Sequence, residues 1–225
     1  MAGYAAVKLG YKQLGFLGGM AVPAVIRYGF GFVQGADAAA KELDTKIEIN
    51  YVYGGQFFGD ADITAKMDTW YQGDTEIVFA CGGGIYKSAA EAAKKAGKKV
   101  IGVDVDQKAI IDGAYGAGMT VTSAMKGLAP TTKDTLTDIV LNGNWSKYAG
   151  KISTLGLVSG DDPTINYVQI PMESTQWAEG KFTQNDYKAL VKAMFDGTIK
   201  VSNSSDTNVM PTTTNATVDN QGRIK

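Results

Sequence analysis

Short β-branched runs alternate with longer helical stretches from Leu14 onward, and the alternation repeats four times. That is the pattern of a parallel sheet flanked by helices. Leu14 to Leu17 reads as a strand ending in Gly18-Gly19, followed by a helix from Pro23 to about Leu43, proline being tolerated in a first turn. Glycines at 29, 31 and 35 weaken that helix, which points to a close helix-to-sheet contact. Lys46 to Tyr53 is the second strand, Asp60 or Asp62 an N-cap, and Ala61 to Tyr71 the second helix. Glu76 to Cys81, the helix Tyr86 to Ala96 stopped by Gly97, and Lys99 to Val103 complete the next units. A glycine-rich stretch from Gly113 to Gly118 precedes a short strand, Met119 to Thr122. Residues Thr131 to Leu141 read as helical, Trp145 to Ile170 as short strands and turns, and Thr183 to Phe195 as a helix opened by a Thr-x-x-Asp signal. Ile199 to Val201 reads as a last strand, and the Ser/Thr/Asn-rich tail after Ser202 as an extended surface segment.

Composition narrows the chemistry. The 225 residues contain no histidine, so the commonest general base and the commonest transition-metal ligand are both absent. The balance of 22 basic and 23 acidic residues offers no electrostatic case for nucleic acid or an anionic membrane. No apolar run is long enough to span a bilayer, and the first residues, interrupted by Lys8 and Lys12, lack the ordered regions of a signal peptide. The single cysteine, Cys81, lies in the apolar run Ile77 to Cys81 and reads as a small core residue.

Open parallel sheets bind ligands at the carboxyl ends of their strands. Here those ends carry Gly18-Gly19, then Gly54-Gly55-Gln56-Phe57-Phe58, Gly82-Gly83-Gly84, Asp104-Val105-Asp106-Gln107 and Thr122-Ser123-Ala124-Met125-Lys126. Glycines permit close backbone approach, the two phenylalanines offer flat apolar faces, and carboxylates with one lysine supply charge. Such a set suits a polar ring compound bearing hydroxyls. Adjacent residues on an extended segment point oppositely, so one of Phe57 and Phe58 is expected in the core and the other in a cleft. The triple glycine is not a dinucleotide fingerprint, because Lys87 stands where a third glycine belongs, and no Walker motif occurs. The bland readings are a tight turn for the glycines, an N-cap for Asp104 or Asp106, and a solvated lysine for Lys126. No cofactor or metal site is read from the chain.

Taken in order, Leu14-Gly15-Phe16-Leu17-Gly18-Gly19-Met20 with Pro23, Gly102-Val103-Asp104-Val105-Asp106-Gln107 and Thr122-Ser123-Ala124-Met125-Lys126 resemble one known family. It is the basic membrane protein family of bacterial ABC-transporter solute-binding lipoproteins, of the purine-nucleoside-receptor-like group. Gly29 to Gly35 and Gly55-Gln56-Phe57-Phe58-Gly59-Asp60 extend the match over nearly the whole chain. The resemblance implies a type I periplasmic-binding-protein fold of two Rossmann-like lobes, a nucleoside held between them, and no catalysis. It implies that Phe57 or Phe58 stacks on the base, that the Gly83 and Gly84 backbone lines the site, that Asp104 accepts from ribose hydroxyls and that Lys126 approaches the sugar. It also implies an ABC permease and ATPase as partners, and an extracytoplasmic, cell-surface or periplasmic location through a lipid anchor that this chain lacks. Met1-Ala2-Gly3-Tyr4 is similar to the end of the first lobe. Residues 1–13 are therefore expected as a remnant of that largely missing lobe and hinge, 14–126 as the complete second lobe, 127–202 as return segments with a late helix, and 203–225 as the tail. The alternatives are a nucleoside-processing enzyme, with Asp104 or Asp106 as general base and Lys126 as electrostatic partner, and the effector-sensing domain of a regulator. Residues 1–13 are too short for a helix-turn-helix.

Overall fold

The computed structural model describes residues 1–224. A seven-stranded sheet carries the fold. Its strands are β1 (Gln13–Gly18), β2 (Ile47–Tyr53), β3 (Ile77–Cys81), β4 (Lys99–Asp104), β5 (Thr120–Lys126), β6 (Val168–Gln169) and β7 (Ala216–Arg223), in the spatial order β6-β5-β4-β3-β1-β2-β7. All neighbours run parallel except β5 and β6. The helices are α1 (Ala2–Lys8), α2 (Pro23–Glu42), α3 (Ala61–Gln72), α4 (Tyr86–Ala96), α5 (Lys108–Tyr115), α6 (Leu128–Leu136) and α7 (Gln184–Phe195).

Strand periodicity divides the core into two layers. Phe16, Tyr51, Phe79 and Val103 point to the face covered by α1, α2 and α7, whereas Leu17, Val52, Val78 and Val100 point to the face covered by α3, α4 and α5. Side chains alternate along every strand, so both faces of the sheet are apolar, as a parallel sheet between two helical layers requires. Residues 2–8 form α1 and bury Ala5, Ala6 and Val7. Local signals set the boundaries: Pro23 opens α2, the Asp60 carboxylate caps α3 by accepting from Ile63 N, left-handed Gly97 stops α4, and Thr183 with Asp186 forms a capping box on α7.

Several local expectations change. The fifth strand runs on to Lys126 rather than ending at Thr122, and Trp145 to Ile170 holds two 3-10 turns and the single two-residue strand β6. Ile199 to Val201 forms no strand. A helix, α5, takes up Lys108–Tyr115, running into the first half of the glycine-rich stretch, and buries Ile111. The tail is not a surface segment throughout: Ala216–Arg223 pairs with the free edge of β2 as β7. Asp37 on α2 pins its entry by accepting the backbone N–H groups of Thr214, Asn215 and Ala216 at 2.7–2.9 Å. A residue run with little apolar periodicity can still become a strand when an unpaired edge supplies its hydrogen bonds.

Candidate functional site

The chain runs from β1 to β2 in one direction and then places β3 on the other side of β1. The carboxyl ends of β1 and β3 therefore lie at a topological switch point, where the connections diverge and leave a crevice. Gly18-Gly19 and Gly82-Gly83-Gly84 occupy those two ends. Ladder bonding continues past the strands, with Gly19 N–H donating to Cys81 O at 2.9 Å, Gly54 to Gly18 at 2.7 Å and Gly55 to Gly19 at 3.0 Å. Gly82 and Gly83 have φ of +147° and +51°, conformations that side-chain-bearing residues avoid.

The loop after β2 folds over this crevice. The Phe57 ring rests on glycine, since a Cβ at Gly19 would come within 2.5 Å of it and one at Gly82 within 2.9 Å. Gly84 N–H donates to Phe57 O at 2.8 Å, which fixes the loop to the β3 end. The Gln56 amide donates to the Asp60 carboxylate at 2.5 Å and to Phe58 O at 3.2 Å. Phe58, next along, is 61% exposed. The two phenylalanines thus divide as their adjacency requires: Phe57 packs down and Phe58 offers its face to solvent.

One strand further along stands Asp104, and beside it, on β5, Lys126. The ammonium lies 2.7 Å from Asp104 Oδ1, with both side chains about two-fifths exposed (37% for Asp104, 40% for Lys126). An ion pair this exposed contributes about 0–1 kcal/mol. Asp104 has φ +69°, one of two non-glycine residues with positive φ among the described residues. A non-glycine residue held in a sparsely populated backbone region costs of order 1–3 kcal/mol, so the local strain is at least as large as the pair's contribution. Stability alone does not account for the arrangement, and strain of this kind gathers at functional sites.

Beneath the pair lies Tyr28 of α2, whose ring centroid is 5.8 Å from the Lys126 ammonium. Its hydroxyl is buried with no hydrogen-bond partner among the described residues. Burial, with Cys81 and Asp104 nearby, raises that hydroxyl well above the ordinary phenol range. Burial likewise raises the Cys81 thiol, Asp104 adding to the shift and Lys126 opposing it. The carboxyl edge therefore carries Phe57 and Phe58 after β2, Gly83 and Gly84 after β3, Asp104 at the end of β4 and Lys126 at the end of β5, with Gly18-Gly19 of β1 between β2 and β3. Sequence reasoning missed Tyr28, because an aromatic on the inner face of a helix carries no sign of what lies above it. It also missed an open groove of about 450 Å³ at the ends of β1, β2 and β7, lined by Met20, Val22, Tyr53, Gly55, Asn220 and Arg223 among others. That groove depends on β7, which the composition of the tail concealed.

Chemically, the edge offers an anionic acceptor, an ammonium donor, a free aromatic face and exposed backbone. Among the described residues no cluster of acidic or cysteine side chains could hold a metal ion, and no helix is long and apolar enough to cross a membrane.

Comparisons with known proteins bear on the family and the fold. Basic membrane protein D of Borreliella burgdorferi is 30% identical over 87% of this chain and 56% of its own length. The ABC transporter nucleoside-binding protein BmpA of Lactococcus lactis is 27% identical over 71% of this chain and 47% of its own. The chain spans about half the length of the curated relatives it matches. A solute-binding protein of an ABC transporter system from Aeropyrum pernix shares the fold with a TM-score of 0.67 at 18% identity, over 92% of this chain and 64% of that one. A second, from Conexibacter woesei, gives 0.60 at 18% identity, over 89% and 61%. The sequence profile of the family described as "Bmp: ABC transporter substrate-binding protein PnrA-like" matches residues 1–173. The chain therefore belongs to this family of ABC-transporter substrate-binding proteins, which bind solutes rather than transform them.

Proposed function

We propose that this chain forms one lobe of a type I periplasmic-binding-protein fold and captures a nucleoside, a purine nucleoside foremost, for an ABC importer. The observation that carries the reading is the strained Asp104 carboxylate paired with Lys126 on the same strand edge as the exposed Phe58 ring. In this reading Asp104 accepts from the ribose hydroxyls and Lys126 approaches the sugar. Of the two phenylalanines, Phe58 has the free face for the base, and Phe57 holds the loop down on Gly19 and Gly82. The Gly83 and Gly84 backbone lines the site between them. Stacking contributes roughly 1–3 kcal/mol per base, and a hydrogen bond to a charged acceptor about 1.5–3 kcal/mol. A carboxylate facing the sugar repels phosphate, which favours nucleosides over nucleotides. A first lobe closes the other wall of the cleft, and a permease with its ATPase receives the ligand outside the cytoplasm, at a membrane to which a lipid anchor tethers the protein. The nucleoside-binding relative from Lactococcus lactis supports the ligand class.

Isothermal titration of the protein as its gene encodes it, with inosine, guanosine, adenosine and ribose as control, tests the reading. Saturable nucleoside heats without release of free base are expected, and Asp104→Ala should weaken binding by about 1.5–3 kcal/mol. Heats equal to buffer for all three nucleosides, or an unchanged dissociation constant in Asp104→Ala, would refute it.

A further inference from the structure

β4 separates from β3 before it reaches the site. The last paired residues are Phe79 and Ile101. In a parallel strand alternate residues bond to opposite neighbours, and Lys99 donates to Glu76 O at the start of β3 while Val100 donates to Met119 O just before β5. Val103 therefore faces β3 at a point where β3 no longer supplies an acceptor. Its N–H donates instead to Gln107 Oε1 at 2.9 Å. Gln107 is 7% exposed, and its own N–H donates to Ser123 Oγ of β5 at 3.1 Å. Room for this side chain exists because residue 102 is glycine: a Cβ there would stand 2.7 Å from Ser123 Oγ and 2.9 Å from Gln107 Cβ and Oε1. The Val103 carbonyl accepts from Val105 N–H at 2.8 Å, closing a γ-turn around Asp104 at φ +69°. A γ-turn with positive φ is the rarer and more strained form.

We propose that Gln107 is a positioning residue for ligand binding. Its side-chain amide takes the place of the departed β3 ladder and locks the γ-turn that directs the Asp104 carboxylate toward Lys126 and the cleft. Gly102 and Ser123 complete the lock, one by leaving space and the other by anchoring the Gln107 backbone. The functional half of this proposal rests on Asp104 being a ligand contact, as read above; the structural half does not.

A double-mutant cycle of wild type, Gln107→Leu, Asp104→Gly and the double variant, followed by urea unfolding, tests the lock without any ligand. Glycine accepts φ +69° freely, so Asp104→Gly should be more favourable with Gln107 present than with Leu in its place. The two backgrounds should differ about fivefold in the effect on the unfolding constant, the strain of one side-chain-bearing residue in an unfavourable turn. Amide exchange at Val103 should be about tenfold faster in Gln107→Leu, its buried donor having lost its acceptor. Additive effects in the cycle, or unchanged Val103 exchange, overturn the lock. Should Gln107→Leu not fold, Gln107→Asn, one methylene short of reaching Val103, carries the same expectations. The binding arm uses inosine: Gln107→Leu should lower its affinity about tenfold, and undiminished affinity overturns the positioning role. Failure of the wild type to bind inosine counts against the nucleoside reading, while the unfolding cycle still decides the lock.

Discussion

Alanine at Gly29 and at Gly31, two residues apart on α2, should shift stability in opposite directions. In a helix interior alanine is favoured over glycine by about 1 kcal/mol. At Gly31 a new Cβ meets nothing within 4 Å, so Gly31→Ala realises that gain, about 2–4 °C in Tm for a chain of this length. At Gly29 the Cβ would collide with the Tyr51 hydroxyl and come 2.7 Å from the Phe16 ring. Neither can yield easily. Both residues are fully buried, their rings stack at 4.5 Å between centroids, and the Tyr51 hydroxyl is bonded to that of Tyr53 at 2.8 Å. Overpacking a rigid core costs about 1–3 kcal/mol, and a collision with two immobile rings belongs at the upper end. After subtraction of the helix gain, Gly29→Ala should be destabilising by about 1–2 kcal/mol. Urea unfolding followed by tryptophan fluorescence measures both. Two stabilising variants would mean that α2 is not seated on β1 and β2 as described, and a destabilising Gly31→Ala would mean that its outer face is covered.

Three further predictions follow from particular contacts. Gly19→Ala should lift the Phe57 ring off the crevice and weaken nucleoside binding more than it lowers the unfolding midpoint; titration with inosine beside urea unfolding distinguishes that result from general destabilisation. Cys81 is 2% exposed and its thiol is raised by burial, so it should react with Ellman's reagent only as fast as the protein unfolds; rapid labelling of the native protein would contradict its placement in the core. Asp138 is held down to about 2 by hydrogen bonds from Asn144, Tyr148 and Asn142. A carboxyl lowered in the folded state adds stability above its unfolded value of about 4 and loses it as pH falls toward 2. Amide shifts of residues 137–148 should move through that window in the wild type and not in Asp138→Asn.

The four-fold alternation, the ends of the first four strands to within a residue and most helix boundaries were legible in the chain because each is written in neighbouring residues. Alternation sets which side chains share a strand face, Pro23 and Thr183 mark helix starts, and Gly97 marks a stop. The candidate site was legible for a related reason: in a parallel sheet all carboxyl ends share one edge, so residues following successive strands are gathered whatever the packing. What remained hidden depends on partners distant in the chain. β7 exists because β2 has an open edge and Asp37 gathers three of the tail's N–H groups, neither of which the Ser/Thr/Asn composition announces. The contrast between Gly29 and Gly31 is invisible until Tyr51 and Phe16 lie beneath one of them. Gln107 and Asp104 stand three residues apart in a recognisable motif, yet the strained turn between them arises where β4 leaves β3 and a backbone donor needs a new acceptor. The sequence alone determined the order of β1 to β4 with the helices α2 to α4 between them, and the residues that cap those helices and α7, since those follow from local periodicity and turn chemistry. Only the tertiary structure decided the pairing of the tail, the seating of α2 and the direction of the Asp104 carboxylate, because each is settled by contacts between segments that the chain brings together only on folding.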